Sequence, residues 1–128
     1  MRVLGFSLVL SISLAAFAIP ESTISHRPGD FIQSLQNNPA AGQQIYQEFC
    51  ASCHAEHPTI NVGAPRFRNI QDWKPYSSLS LETLLKIADT GIGHMPPRGG
   101  CFECSDENLK AAIIYMMGSD LGSGSKQK

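Results

Sequence analysis

Cys50-Ala51-Ser52-Cys53-His54 is the stretch from which the rest of this chain can be read. Two cysteines separated by two residues and followed at once by histidine form C-x-x-C-H, the attachment sequence for c-type haem. The chemistry needs this spacing. Two thiols add across the vinyl groups on neighbouring edges of a porphyrin and become thioethers, and the adjacent histidine then lies under the ring. The rivals are a redox dithiol and half of a zinc site, but a thioredoxin-like dithiol sits beside a βαβ pattern that this sequence lacks. Cys50 and Cys53 are therefore expected to hold one haem c, with His54 as an axial ligand of its iron.

The second cysteine pair, Cys101-Phe102-Glu103-Cys104, is followed by Ser105, so a second haem has no proximal ligand. A four-cysteine zinc site would have to span 47 intervening residues, against the usual 15–20 or so. A local disulfide is the simplest reading, and a reversible, redox-sensing disulfide is its functional alternative. An electron-shuttling iron also needs a sixth ligand. Met95 stands outside the helical patterns in Gly91-Ile92-Gly93-His94-Met95-Pro96-Pro97. A thioether is soft, cannot be protonated and favours Fe(II). The glycines let backbone approach a flat ring, and the prolines stiffen the loop. His94 and an open position are the alternatives. Met116 and Met117 fall at core spacing on a helix.

The chain has 128 residues, 42% hydrophobic and 16% charged, with a formal charge of −1. That is room for one domain with one modest core, and the hydrophobic content excludes a disordered chain. No basic run gives an electrostatic footprint for nucleic acid. Met1-Arg2, the uncharged run Val3 to Ile19 and the small-residue site Ala16-Phe17-Ala18 form a secretory signal pattern, with cleavage expected after Ala18. An uncleaved membrane anchor is the alternative, because the run sits at the lower limit of about 17 residues for a spanning helix. Export places the mature protein in an oxidising compartment, the periplasm in this reading.

Residues 19–38 form a polar N-terminal extension, with Pro28-Gly29 and Asn37-Asn38-Pro39 as breakers and room for one short helix at about 30–37. From there the pattern is helical. Asn38 caps a helix whose stripe of Ile45, Tyr46 and Phe49 runs into Cys50. Residues 55–79 are loop, with one turn near Ile70–Lys74. Ser80 caps a second helix that stops at Gly91, and Ser105 caps a third that stops at Gly118. Leu109, Ala112, Ile113 and Met116 make the inner face of that last helix. Residues 119–128 are a Gly/Ser/Lys tail. No strand pattern of period two occurs.

Residues 40–118 resemble the class I c-type cytochromes, and the cytochrome c5 group in particular. The resemblance rests on Cys50-Ala51-Ser52-Cys53-His54, on Val62-Gly63-Ala64-Pro65, and on Met95-Pro96-Pro97-Arg98-Gly99-Gly100-Cys101-Phe102-Glu103-Cys104-Ser105-Asp106-Glu107. It implies a small, single-domain, all-α cytochrome c fold over residues 39–118, wrapped around one covalently attached haem. It implies that first and last helices cross where Gly42 and Tyr46 meet Tyr115. The Pro65 carbonyl should accept the outer ring N–H of His54, and Trp73 should lie near a haem propionate; a plain core tryptophan is the other reading of Trp73. It also implies a disulfide just after the methionine loop. The function so implied is one-electron transfer between donor and acceptor redox proteins, respiratory complexes in the membrane among them, with no nucleic acid or small-molecule substrate. A haem module of a redox enzyme and a haem-based gas or redox sensor are the alternative classes.

Overall fold

Local sequence explains most helix boundaries in the computed structural model, which describes residues 28–118. Helix α1 spans Pro28–Leu35. Pro28-Gly29, expected to break a helix, opens this one instead: proline's fixed φ suits the first turn, where its missing N–H costs nothing. Helix α2, Ala41–Ile45, begins later than a cap at Asn38 would set it: Ala40 is its N-cap, and Asn38 instead closes the preceding turn, its Oδ1 accepting from Ala40 N–H at 2.8 Å and its carbonyl from Ala41 N–H at 3.0 Å. Helix α4, Ile70–Trp73, is capped by Asn69, whose side chain accepts from the N–H groups of Gln71 and Asp72. Ser80 caps α5, Leu81–Thr90, by accepting from Thr83 N–H, and Ser105 caps α6, Asp106–Met117, by accepting from Asn108 N–H. Gly91 and Gly118 end those two helices at φ 75° and 83°, conformations that favour glycine.

One stretch departs from the expected continuous helix. After α2 the backbone widens into a π turn, Tyr46–Cys50, before α3, Ala51–His54, resumes the α geometry. A π turn puts more residues in each turn than an α-helix does. Cys50 and the residues after it are thereby rotated relative to the buried side chains of Ile45 and Tyr46.

The core lies where α2 and α6 cross. Ile45 is wholly buried, and Leu84, Leu85, Leu109, Ala112, Ile113, Met116 and Met117 belong to the same buried cluster. The helices touch backbone to backbone at Gly42, where a Cβ would stand only 2.6 Å from the Ala111 carbonyl carbon. Tyr46 and Tyr115 meet there with ring centroids 5.5 Å apart, and Phe67 joins them at 4.8 and 5.2 Å. Helix α1 closes onto the same core through buried Leu35 and through Phe31, whose ring lies 5.6 Å from that of Phe49. The described residues contain no strand, only an isolated bridge between Ile92 and Met95. The architecture is the expected all-α one. No helix among the described residues is long and apolar enough to cross a membrane. The expected signal segment 1–18 and tail 119–128 lie outside the described residues.

Candidate functional site

Helix α3 is one turn long, so Cys50, which caps it, and His54 at its end project from adjacent levels of the same helical segment. Cys50 and Cys53 are both partly buried and unpaired with each other. Burial, with Cys53 adding to it, pushes the free Cys50 thiol up to about 11.

His54 is buried, and its ring is fixed from outside. Nδ1–H donates to the Pro65 carbonyl at 2.8 Å. That carbonyl can only accept, so the proton belongs to Nδ1 and the lone pair to Nε2. The main chain on either side is tied down as well. Phe67 N–H donates to the His54 carbonyl at 2.6 Å, and Arg68 N–H donates to the Met116 carbonyl at 2.8 Å. The Trp73 indole N–H donates to the Arg66 carbonyl at 2.8 Å. Arg66 N–H and its guanidinium both donate to Asp72, at 3.1 Å and 2.6 Å. The segment from Pro65 to Arg68 is thus a strap, held by α4 and α6, that presses one carbonyl onto one histidine. The Trp73 ring is buried and lies nearly parallel to that of His54, 6.2 Å away at 18°. Its N–H is committed to Arg66, so it meets the site with its ring rather than with a donor.

Asp72 makes the strap sensitive to acid. The side-chain bond from Arg66, then its backbone N–H, holds the carboxyl below its ordinary 3.8. A depressed carboxyl stabilises the fold above its unfolded value and loses that contribution as pH falls through its folded value. In melts from about pH 5 down to about pH 2, Asp72→Asn should therefore lose less stability than the parent protein. Parallel loss in the two proteins would show that the pair does nothing in solution.

The methionine turn is built equally closely. Ile92 N–H donates to the Met95 carbonyl at 3.1 Å, and Met95 N–H returns the bond at 2.9 Å. Gly93, at φ 57°, and exposed His94 form the tip. Met95 turns the other way and packs on the core. Gly91 lets the loop approach itself. A Cβ at Gly91 would stand 2.6 Å from the Met95 carbonyl oxygen and 2.8 Å from Pro97 N. Beyond the turn, Cys101 and Cys104 are buried and face each other at bonding distance, Cα atoms 5.4 Å apart, just before α6.

The motifs point to the cysteines, His54 and Met95, but not to Arg66, Asp72 and Arg98, which hold the two loops through partners six to nine positions away.

The helical fold and the C-x-x-C-H turn define a c-type cytochrome. Residues 37–116 match the family described as cytochrome c oxidase, cbb3-type, subunit III, and the chain belongs to that family of haem c domains. Within the c-type cytochromes it is a class I member near the cytochromes c5. It is 35% identical over 80 residues to cytochrome c5 of Azotobacter vinelandii, covering 61% of this chain and 93% of that protein. Cytochrome c5 of Ectopseudomonas mendocina is 34% identical over 80 residues, covering 61% and 88%. A solved structure described as an electron transfer complex of nitrite reductase with cytochrome c contains a similar chain. The TM-score is 0.54 at 36% identity, over 64% of this chain and 94% of that one.

The cofactor is accordingly one covalently bound haem c. The residues present fit it: two thiols one turn apart, an imidazole whose tautomer leaves Nε2 its lone pair, and a thioether on a braced turn. Exposed apolar side chains flank both segments. Ile60 is 52% exposed and its N–H donates to the Ser52 carbonyl, and Ile92, 60% exposed, is paired with Met95. A flat apolar group seated between the segments would cover surface of this kind.

Proposed function

We propose that the protein is an exported one-electron carrier in which His54 and Met95 are the axial ligands and Cys50 and Cys53 form the thioethers. Haem c supplies the Fe(III)/Fe(II) couple. The chain's own residues set its environment. The observation that carries the reading is the His54 ring on the C-x-x-C-H turn, with Nδ1–H committed to the Pro65 carbonyl. Such a partner fixes the tautomer and makes Nε2 a better donor. Pro65 and Trp73 stand behind His54, one as hydrogen-bond acceptor and one as a packed ring. Met95 offers a sulfur that cannot be protonated and that raises the potential by favouring Fe(II). His94, its neighbour, is exposed at the tip of the turn, which favours Met95 as the ligand.

With His54 and Met95 holding the iron, no coordination site would be left for a substrate, and little would have to reorganise when an electron moves. That favours a carrier over an enzyme. Its partners are then redox proteins, as in the nitrite reductase complex that holds a similar cytochrome, with membrane-bound respiratory complexes among the candidates. Export to the periplasm rests on the signal pattern at residues 1–18 and on the Cys101–Cys104 pair as a disulfide.

The test is the optical spectrum of the purified protein, oxidised, reduced, and reduced under carbon monoxide. We expect low-spin bands, the weak far-red sulfur-to-iron band when oxidised, and no change with carbon monoxide. Rapid carbon monoxide binding to a high-spin ferrous form would remove Met95 as a firm ligand and point to a sensor or enzyme instead.

A further inference from the structure

We propose that Arg98 is a positioning residue for Met95: its guanidinium joins the ends of α5 and α6 and so fixes the turn that presents the sulfur. The proposal rests on Met95 being the iron ligand. Arg98 follows Met95 by three residues, with no slack between them. Gly99 N–H donates to the Pro96 carbonyl at 3.0 Å, and Cys101 N–H donates to the Arg98 carbonyl at 3.1 Å. From there the side chain reaches three acceptors on three segments. One terminal nitrogen donates to Asp89 in the last turn of α5. The other donates to the Cys104 carbonyl at 2.7 Å and to Asp106, in the first turn of α6, at 3.1 Å.

This is not an ordinary surface ion pair, which would contribute little. The Arg98 side chain is only 19% exposed, while its two carboxylate partners keep 49% and 58% of their surface. Two unfavourable features converge on the same residue. Its backbone is left-handed, at φ 57° and ψ 18°, and its Nε is buried without a hydrogen-bond partner. Local costs of this kind persist only where the surrounding contacts over-determine the conformation, and they cluster at functional segments. The terminal nitrogens supply those contacts. Lysine could not replace them, because one ammonium cannot act as a planar fork toward a carbonyl and two carboxylates.

The helices themselves have other ties. Lys110 and Glu82 bridge α5 to α6 at 2.6 Å, and the buried faces of both helices meet in the core. Loss of the Arg98 fork should therefore loosen the methionine turn far more than it unfolds the protein.

The experiment is imidazole competition on the oxidised holoprotein, followed by loss of the far-red sulfur-to-iron band, beside helix unfolding followed by circular dichroism. In Arg98→Met, which keeps the aliphatic stem, imidazole should displace the methionine at a concentration about tenfold lower than in the parent. The unfolding midpoint should barely move, and Arg98→Lys should fall between the two. Unchanged imidazole affinity in Arg98→Met, or a shift matched by an equal loss of fold stability, overturns the proposal. If Arg98→Met yields no holoprotein, Asp89→Ala decides: it removes one acceptor and leaves the arginine in place. A rise in imidazole affinity of about threefold supports the proposal and an unchanged value overturns it. A parent protein without the far-red band refutes the ligand assignment itself, before any variant is compared, and the proposal with it.

Discussion

Gly42→Ala should destabilise the protein by about 3 kcal/mol, the upper range for forcing a methyl group into a packed core. Helix propensity alone predicts the opposite sign, since alanine is favoured over glycine in a helix by about 1 kcal/mol. Packing decides. The new Cβ would stand 2.6 Å from the Ala111 carbonyl carbon and 3.1 Å from Ala112 N. Both are main-chain atoms inside α6, so no side-chain rotation relieves the overlap. The helices must separate, which loosens Ile45, Ala112 and the Tyr46–Tyr115 contact together. Gly29→Ala in α1 is the control, because a Cβ there meets nothing within 4 Å. It should be neutral or slightly stabilising. Denaturant unfolding of both holoproteins settles the matter. Equal midpoints would mean that the α2–α6 crossing is not the constraint it looks to be.

The crossing also shows what kinds of structure a sequence displays. Capping serines and terminal glycines act on groups three or four residues away, so Ser80, Gly91, Ser105 and Gly118 could be read in place and the helices end where they predict. The C-x-x-C-H turn is local too, and its chemistry is written in adjacent residues. The π turn at Tyr46–Cys50 is not. Nothing in its side chains distinguishes it from α-helix, although it lies between buried Ile45 and buried His54. The strap behind His54 depends on pairs six to eleven residues apart, Arg66 with Asp72, Trp73 with Arg66 and His54 with Pro65. Of these only the Pro65 carbonyl was foreseen, and that came from the family resemblance rather than from the residues themselves. Pro28 misled for the reverse reason: proline breaks a helix in its interior but suits its first turn, and position within the element cannot be read from the residue alone.

With Met95 as the iron ligand proposed above, Gly91→Ala should detach it while leaving the helices in place. At φ 75° and ψ 163° Gly91 occupies a region that is essentially restricted to glycine. The Cβ would also stand 2.6 Å from the Met95 carbonyl oxygen, 2.8 Å from Pro97 N and 2.9 Å from Pro96 C. These atoms are the backbone of the methionine turn, so the strain can be released only by moving that turn. A combined penalty of about 2 kcal/mol would weaken methionine ligation about 30-fold. The oxidised protein should then lose much of its far-red sulfur-to-iron band, and the ferrous form should bind carbon monoxide. Gly93→Ala separates conformation from crowding: it too has a positive φ, 57°, but open space around the Cβ. It should keep the band. If both variants resist carbon monoxide as the parent does, the packing of Gly91 under Met95 does not govern ligation. If both lose the band alike, backbone conformation at the turn matters and the close approach at Gly91 does not.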